Sequence, residues 1–297
     1  MICYQCKLEL PYDDHQIMPI DSVQQLYPQP ARELPLRGLY LAHDLRQFST
    51  TTTPLVYTNF ISSLDGRIAL PCSADGQLGV PAALANQRDW RLFQELLAQA
   101  DVLISSGRYL RDYAKNQAQD ILCPHKHPDY ADLVAWRQSR NLPPAPAVAV
   151  LSRSLDFSVP ADFLNGQRTL IVFTGASANS DRRQALTDAG ITVLSAGLSQ
   201  DVDSEWAVNI LAERGYRTIY AVAGPEVFHA LLTRRMVNRL YLTLSHRLLG
   251  GQPYASMVTG PGLVPPDDFC LHSLYYDYSP HSAATNMAGQ SFYCFHK

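Results

Sequence analysis

Small polar residues and an arginine follow one apolar run in a pattern suited to binding an anion. The run Asp101–Ile104 leads directly into Ser105, Ser106, Gly107 and Arg108. Hydroxyl groups, backbone N–H groups and a guanidinium at the end of a strand can together hold a phosphate or a ribose. An equally acceptable interpretation is that Arg108 only begins a solvated helix.

A second such position is the turn at Gly224 and Pro225, between an apolar run and a helical pattern. Proline suits the first position of a helix, and glycine allows another group to approach the backbone closely. The N–H groups of Glu226, Val227 and Phe228 are expected to lie at the positive end of the helix, which favours an anion. An ordinary connection without a ligand is the alternative, because Gly-Pro turns are common.

Three further apolar runs end in similar residues. Leu55–Ile61 leads into Ser62–Arg67, which includes Asp65; Ala147–Leu151 leads into Ser152, Arg153 and Ser154; and Arg168–Phe173 leads into Thr174, Gly175, Ala176 and Ser177. Asp65 is a candidate for a proton-relay group, since a carboxyl at the edge of a cleft can be tuned towards its neutral form. A carboxylate that only stabilises an Asp-Gly turn is the alternative.

The elements that must position these residues alternate between strand and helix across residues 100–235. This alternation predicts an α/β fold with a mostly parallel central sheet and helices on both faces. The runs Cys270–Tyr278 and Ser291–Phe295 predict an antiparallel C-terminal hairpin. In such sheets ligands bind outside the carboxyl ends of the strands, so five polar strand ends favour a phosphate-rich ligand such as a nucleotide. The sequence has neither a Gly-x-Gly-x-x-Gly motif nor a Walker-type lysine loop.

Composition excludes several classes of function. The 297 residues carry a net charge of -3, with 46% apolar and 17% charged residues, and no basic run exceeds a pair. We therefore expect no nucleic-acid surface and no membrane span, and the absence of a secretion signal predicts a cytoplasmic protein. Neither the pair Cys3 and Cys6 nor the pair His125 and His127 has further ligands nearby, so no metal site is expected. The proline-rich residues 1–54 read as an extension that forms an arm or lid, and residues 55–297 as the main domain.

Five segments, in order, resemble the dihydrofolate-reductase-like pyrimidine reductases of riboflavin biosynthesis, in their C-terminal reductase domain. The resemblance covers about residues 55–297 and rests on Ser62–Ala69, Asp101–Gly107, Val150–Ser154, Ala223–Val227 and Leu248–Gly251.

The resemblance implies a homodimer that uses NADPH to reduce a pyrimidine or pterin-like ring, as 5-amino-6-(5-phosphoribosylamino)uracil reductase does, with the substrate of this chain left open. It places the pyrophosphate near the Gly224 helix and the Ser106–Gly107 loop, and the 2′-phosphate at Ser152 and Arg153. The implied cofactor-binding residues are Ser106, Gly107, Arg108, Asp112, Ser152, Arg153, Thr174, Gly175, Gly224, Pro225, Glu226, Val227 and Phe228. The implied substrate-binding residues are Asn59, Ile61, Ser63 and Val222.

The sequence departs from the family pattern at four places. Asn59 stands for a lysine, Val222 for a glutamate, Leu97 or its neighbour for an arginine, and Asn238–Arg239 for an Asp-Glu pair. The family's charged residues at these positions would grip a phosphoribosyl substrate. The alternative is therefore a non-catalytic module that binds a nucleotide or forms a dimer on the same fold.

Overall fold

An eleven-stranded sheet forms the centre of the computed structural model, which describes residues 21–71, 76–115, 128–165, 168–222, 224–277 and 289–297. Cys3, Cys6, His125 and His127, whose interpretation was discussed above, lie outside the described residues. Within the described part of the chain, none of the helices is both long enough and apolar enough to span a bilayer.

The strands lie in the order β2-β1-β12-β13-β11-β3-β10-β6-β7-β8-β9. The pairs from β11 to β9 are parallel and the pairs from β2 to β11 are antiparallel. A separate small sheet pairs β4 with β5. The bounds are β1 Ser22–Tyr27, β2 Arg32–Pro35, β3 Leu55–Ser63, β4 Leu70–Pro71, β5 Leu78–Gly79, β6 Val102–Ser106, β7 Ala147–Leu151, β8 Leu170–Thr174, β9 Thr192–Ser195, β10 Thr218–Ala221, β11 Arg239–Ser245, β12 Cys270–Asp277 and β13 Gln290–His296.

Helices cover both faces of the parallel part of the sheet. On the first face, α1, α2, α4 and α5 pack against residues such as Tyr57, Val150 and Tyr220, and on the second face α6 and α7 pack against residues such as Val56 and Ile104. The bounds are α1 Gln87–Ala98, α2 Gly107–Ala114, α3 Ala131–Ser139, α4 Ala161–Leu164, α5 Ser180–Asp188, α6 Ser204–Glu213 and α7 Pro225–Thr233. The predicted fold class, including the antiparallel C-terminal hairpin of β12 and β13, is confirmed.

The helix α1 begins later than its sequence pattern indicates. We expect from the sequence a helix over 82–98, but the N–H groups of Leu84 and Ala85 both donate to the Pro81 carbonyl in a separate turn. The Asn86 side chain then accepts from the Asp89 N–H and caps the helix. A polar N-cap satisfies an N–H group that has no partner within the helix, which fixes the start at residue 87.

Residues of the N-terminal extension join the edge of the sheet. β1 pairs with β12, and β2 pairs with β1. The sequence pattern did not reveal these two strands, because paired glutamines and nearby prolines mask their alternation. Residues 36–48 continue across the first face, where the buried Glu95 carboxylate accepts from the N–H groups of Gly38 and Tyr40. The division into an extension of 1–54 and a main domain of 55–297 stays a prediction.

Candidate active site

The polar strand ends recognised in the sequence lie side by side. β3, β10, β6, β7 and β8 are consecutive neighbours and all run parallel, so their carboxyl ends share one edge of the sheet. Four strand spacings of roughly 4.8 Å make this row about 19 Å long. An extended ligand can therefore contact all five ends.

The connections that follow β6 and β10 leave this edge toward opposite faces of the sheet. The helix that follows β6 is α2, which packs on the first face, whereas the helix that follows β10 is α7, which packs on the second face. Because neighbouring connections diverge, an opening forms between them at the carboxyl edge. Such a topological switch point is the usual ligand-binding position of a parallel sheet.

The start of α7 has the features of an anion site. Pro225 occupies the beginning of the helix, and Gly224, the N-cap residue, provides no side-chain cap. The N–H groups of Glu226 and Val227 lie in the first turn, at the positive end of the helix dipole. The prediction that the Phe228 N–H is also free is wrong, because it donates to the Gly224 carbonyl at 3.1 Å.

At the ends of β6 and β7, the start of α2 and the loop after β7 approach each other closely. A Cβ atom on Gly107 would lie 2.8 Å from Ser152 Oγ, so only glycine allows these segments to approach each other this closely. Ser106 Oγ accepts from the Tyr109 N–H, and Ser152 Oγ accepts from the Leu155 N–H. Each hydroxyl keeps its own O–H as a donor for a ligand.

The two predicted phosphate-binding arginines make only weak surface pairs. Arg153 is 3.3 Å from Asp201, with side-chain exposures of 68% and 75%. Arg108 is 3.8 Å from Asp112 on the next turn of α2. Exposed ion pairs contribute about 0 to 1 kcal/mol, so a phosphate can replace either carboxylate at little cost.

At the end of β8, the protein's own backbone leaves no room for a side chain at Gly175. A Cβ atom on Gly175 would lie 2.1 Å from the Ser199 carbonyl oxygen. The N–H groups of Ala176 and Ser177 donate to the carbonyls of Gly197 and Ser199. Thr174 Oγ1 is buried and has no hydrogen-bond partner among the described residues. The backbone of residues 197–200 therefore covers this strand end, and a cofactor role for Thr174 and Gly175 stays a prediction.

The predicted substrate residues lie on the first face, at the ends of β3 and β10. Tyr220 Oη donates to Asn59 Oδ1 at 2.5 Å, and Ile61 packs with Val80 and Leu84. The Val222 N–H donates to the Ile104 carbonyl. This side of the opening is therefore more apolar than the side that faces α2.

Asp65 lies in the turn after β3, where it accepts several hydrogen bonds. Ser63 Oγ donates to it at 2.5 Å, the Gly250 N–H at 2.8 Å, and Arg67 forms an ion pair at 2.8 Å. The Ser63 hydrogen bond first, and then the bond from Gly250, lower the Asp65 pKa from 3.8 to about 2. A proton relay requires a raised pKa, whereas the pKa of Asp65 is lowered. The hydrogen bonds agree with the alternative, in which Asp65 stabilises the turn.

A different carboxyl, which the sequence analysis missed, has the required properties. Asp89 lies in the first turn of α1, is 7% exposed, and accepts a 2.5 Å hydrogen bond from Thr243 Oγ1 on β11. Thr243 pairs with Ile61, which places Asp89 above the carboxyl ends of β3 and β11. Burial raises the Asp89 pKa from 3.8 to about 6, and the hydrogen bond from Thr243 opposes this only in part.

A signal for Asp89 was present in the sequence. Asp89 precedes Phe93 by four residues and Leu96 by seven, so it falls on the apolar face of the helix. An acidic residue in the first turn is ordinarily attributed to the helix dipole, which hides such a position.

Comparison with known protein families identifies the chain. The family of the RibD C-terminal domain matches residues 54–269. The chain belongs to this family. Comparison with curated protein sequences gave no match.

Solved structures of similar fold come from several organisms. A pyrimidine reductase-like protein from Corynebacterium diphtheriae is 22% identical, with 82% of this chain and 91% of that chain covered and a TM-score of 0.57. RibD of Acinetobacter baumannii is 17% identical, with 83% and 58% covered and a TM-score of 0.54. The riboflavin biosynthesis reductase Rib7 of Saccharomyces cerevisiae is 13% identical, with 87% and 98% covered and a TM-score of 0.50. The fold is the dihydrofolate-reductase-like fold of this family.

Two of the four departures from the RibD C-terminal pattern lie away from the candidate site. Asn238 Oδ1 accepts from the Val56 N–H at the amino end of β3, and Leu97 is buried near the end of α1. Leu97 and Asn238 therefore do not lie at the carboxyl ends of the strands in this chain. Asn59 and Val222 are the departures that lie at the site.

The raised pKa of Asp89 predicts a pH-dependent gain in stability for Asp89→Asn. The folded protein holds this proton more tightly than the unfolded chain does, so the carboxyl favours folding below pH 3.8, and its contribution is lost as the pH rises through 6. The amide keeps an acceptor for Thr243 and cannot ionise. The free energy of unfolding of the variant, measured in urea, is expected to exceed that of the native protein increasingly between pH 4 and 6, by about 3 kcal/mol above pH 7.

Asp65→Asn is the matched control, for which the expected change in stability has the opposite sign. The pKa of Asp65 is lowered to about 2, so its contribution to stability is present above pH 3.8 and is lost as the pH falls through 2. This variant is expected to be less stable than the native protein at neutral pH. A difference between Asp89→Asn and the native protein that does not change with pH would contradict the proposed environment of Asp89.

Proposed function

We propose that this protein is an NADPH-dependent reductase of a pyrimidine or pterin-like ring. The observation that carries the proposal is the switch point at β10, where α7 begins without a side-chain cap after β10, and Gly107 closely approaches Ser152 at the ends of the neighbouring strands β6 and β7. Membership of the RibD C-terminal family supports a reductase, and the edge of about 19 Å suits an extended dinucleotide.

The residues on the α2 side fit the phosphates of the cofactor. The N–H groups of Glu226 and Val227, with the hydroxyls of Ser106 and Ser152, would hold the pyrophosphate. Arg153 would hold the 2′-phosphate, since its weak pair with Asp201 is easily exchanged for a doubly charged group.

The residues on the α1 side are suited to contacting an aromatic ring and to donating a proton to it. NADPH, when bound, supplies a hydride. Asp89 keeps its proton up to about pH 6, because burial raises its pKa to that value, and Thr243 fixes the position of its carboxyl group. A buried acid of this pKa is suited to donating a proton to a ring nitrogen or carbonyl as the ring is reduced. Asn59 and Val222 would contact the ring itself.

A non-catalytic nucleotide-binding module is the second candidate. Asn59 Oδ1 already accepts from Tyr220, and Val222 offers no charge, so the site lacks the cationic and acidic groups that family members present at these positions. In this case NADPH binds and no ring is reduced. A cytoplasmic location is expected for both candidate functions and stays a prediction.

We also propose that two copies of the chain associate through the terminal-strand face. We define this face by three cross-strand rows on the side of the sheet opposite to α1, in which all residues except Ser291 are partly exposed. The rows are Leu240, Phe295 and Leu271; Leu242, Tyr293 and Leu274; and Leu244, Ser291 and Tyr276. An apolar, uncharged sheet face can pack on its own copy about a two-fold axis.

Arg153→Gln tests the cofactor assignment. Titration of the native protein with NADPH and NADH is expected to show a preference for NADPH. The variant is expected to bind NADPH about ten-fold more weakly, because it loses a charge-assisted hydrogen bond of about 1.5 kcal/mol, and to bind NADH unchanged. Arg214→Gln, at an exposed position just after α6, is the control and is expected to change neither affinity. Equal native affinity for the two cofactors would remove the role of Arg153.

Asp89→Asn separates the two candidate functions. In assays with 5-amino-6-(5-phosphoribosylamino)uracil and with dihydropterins, oxidation of NADPH by the native protein is expected to fall as the pH rises through 6. The variant is expected to lose about 10²-fold to 10³-fold in kcat, because the proton donor is gone, with NADPH affinity unchanged. NADPH binding without turnover of either substrate class by the native protein would favour the non-catalytic module.

Leu274→Glu and Tyr293→Glu test the terminal-strand face. Sedimentation equilibrium of the native protein is expected to give twice the mass of one chain. Each variant is expected to sediment as a single chain, because a dimer would bury two carboxylates without partners. Val264→Glu, at a residue that is 94% exposed in the loop before β12, is expected to remain a dimer. A dimer that survives both face variants would show that another surface is used.

A further inference from the structure

A cavity of about 440 Å³ lies between the N-terminal extension and β12. Its volume is in the range of sites that hold small organic molecules. None of the residues predicted to bind cofactor or substrate is among the described residues that line it. The cavity is therefore distinct from the opening at β10.

Much of the wall is apolar. The extension contributes prolines, leucines, an alanine and an aromatic ring, namely Pro28, Leu34, Pro35, Leu39, Ala42 and Phe48. Phe48 remains 47% exposed, so a large ring is offered to solvent at the cavity. Such a wall favours a ligand with an apolar, flat body.

The charged residues at the cavity are all basic. Arg32 and Arg37 line it, and its described lining residues include no Asp or Glu. Arg37 pairs with Asp21 at 3.4 Å, but both side chains are more than a third exposed, so this pair is weak. The electrostatic potential inside the cavity is therefore positive.

Behind Phe48 lies a buried guanidinium without a carboxylate. Arg239 is 4% exposed, and its guanidinium lies 3.9 Å from the centre of the Phe48 ring. Its Nη1 has no hydrogen-bond partner among the described residues, and no carboxylate in that part of the chain pairs with it. Burying an unpaired cation is costly, and an anion nearby reduces that cost.

The charge of Arg239 reaches the cavity. Burial, and then the nearby Arg239 charge, lower the His43 pKa to about 3, and the same two causes lower the His272 pKa. His43 is held between two phenol groups, with Nδ1 at 2.8 Å from Tyr241 Oη and Nε2 at 3.0 Å from Tyr275 Oη. Burial and the Arg239 charge keep His43 neutral at ordinary pH, so the positive field on this side of the cavity comes from Arg239.

A buried hydroxyl also lies at the wall. Ser273 lines the cavity and is 2% exposed, and its side chain interacts with those of Tyr275 and Cys294. A serine hydroxyl can both donate and accept, so it can also contact a polar group of a ligand in the cavity.

We propose that this cavity binds a small aromatic anion, a planar ring that carries a carboxylate or a phosphate group. The ring packs against the leucines and Phe48, and the anionic group lies in the field of Arg239 with the Ser273 hydroxyl as a donor. The site is independent of the proposed reductase activity.

Isothermal titration of the full chain with phenyl phosphate and benzoate tests the proposal, and the two probes distinguish the phosphate from the carboxylate. At least one is expected to bind ten-fold or more tightly than phenol, which lacks the charge, and than inorganic phosphate, which lacks the ring. Arg239→Gln is expected to weaken binding of that probe at least ten-fold, and Arg214→Gln to leave it unchanged.

Ala42→Trp is the second variant and decides the outcome if Arg239→Gln does not fold. It fills the cavity without altering its charge and is expected to abolish binding of the probe. Binding that persists unchanged in Ala42→Trp, or a probe that NADP⁺ displaces competitively, would overturn the proposal, because the anion would then occupy another site.

Discussion

The parallel pairing of β3, β10, β6, β7 and β8 is the constraint on which the candidate site depends. Hydrogen bonds between neighbouring strands fix the level at which each strand ends, so residues far apart in sequence meet at one edge. The divergence of α2 and α7 then opens that edge at β10. Both features depend on the backbone and not on a particular side chain. The polar strand ends therefore still converge in a chain that departs from its family at Asn59 and Val222.

Buried charge on α1 links stability to function. Glu95 is fully buried but accepts from two backbone N–H groups and pairs with Arg91, so its charge is partly compensated, although burial still raises its pKa. Asp89, six residues earlier, has one hydroxyl donor and no cation as a partner among the described residues. Two carboxylates on one helix thus have different environments, and the pKa of the less compensated one reaches about 6. A buried carboxyl with a raised pKa is a candidate for acid–base chemistry.

The sequence allowed the fold class and the convergence of strand ends to be predicted, because alternating apolar periods and strand-end glycines are local signals. The roles of individual residues required the structure. Asp65 and Asp89 are both acidic residues near strand ends in space, yet their pKa values shift in opposite directions. Hydrogen bonds from Ser63 and Gly250 lower the Asp65 pKa, whereas burial raises the Asp89 pKa, and this burial depends on residues distant in sequence. The Ser199 carbonyl leaves no room for a side chain at Gly175, and the Val56 N–H donates to Asn238. No local pattern in the sequence indicates these two contacts.

The outermost strand has a consequence for how copies of the protein can meet. β2 is four residues long, carries Arg32 and Glu33, and ends at Pro35. Short length, exposed charge and a residue without an N–H group make a poor template for a further strand. Growth of the sheet from molecule to molecule, as in a fibril, is thereby discouraged at this side.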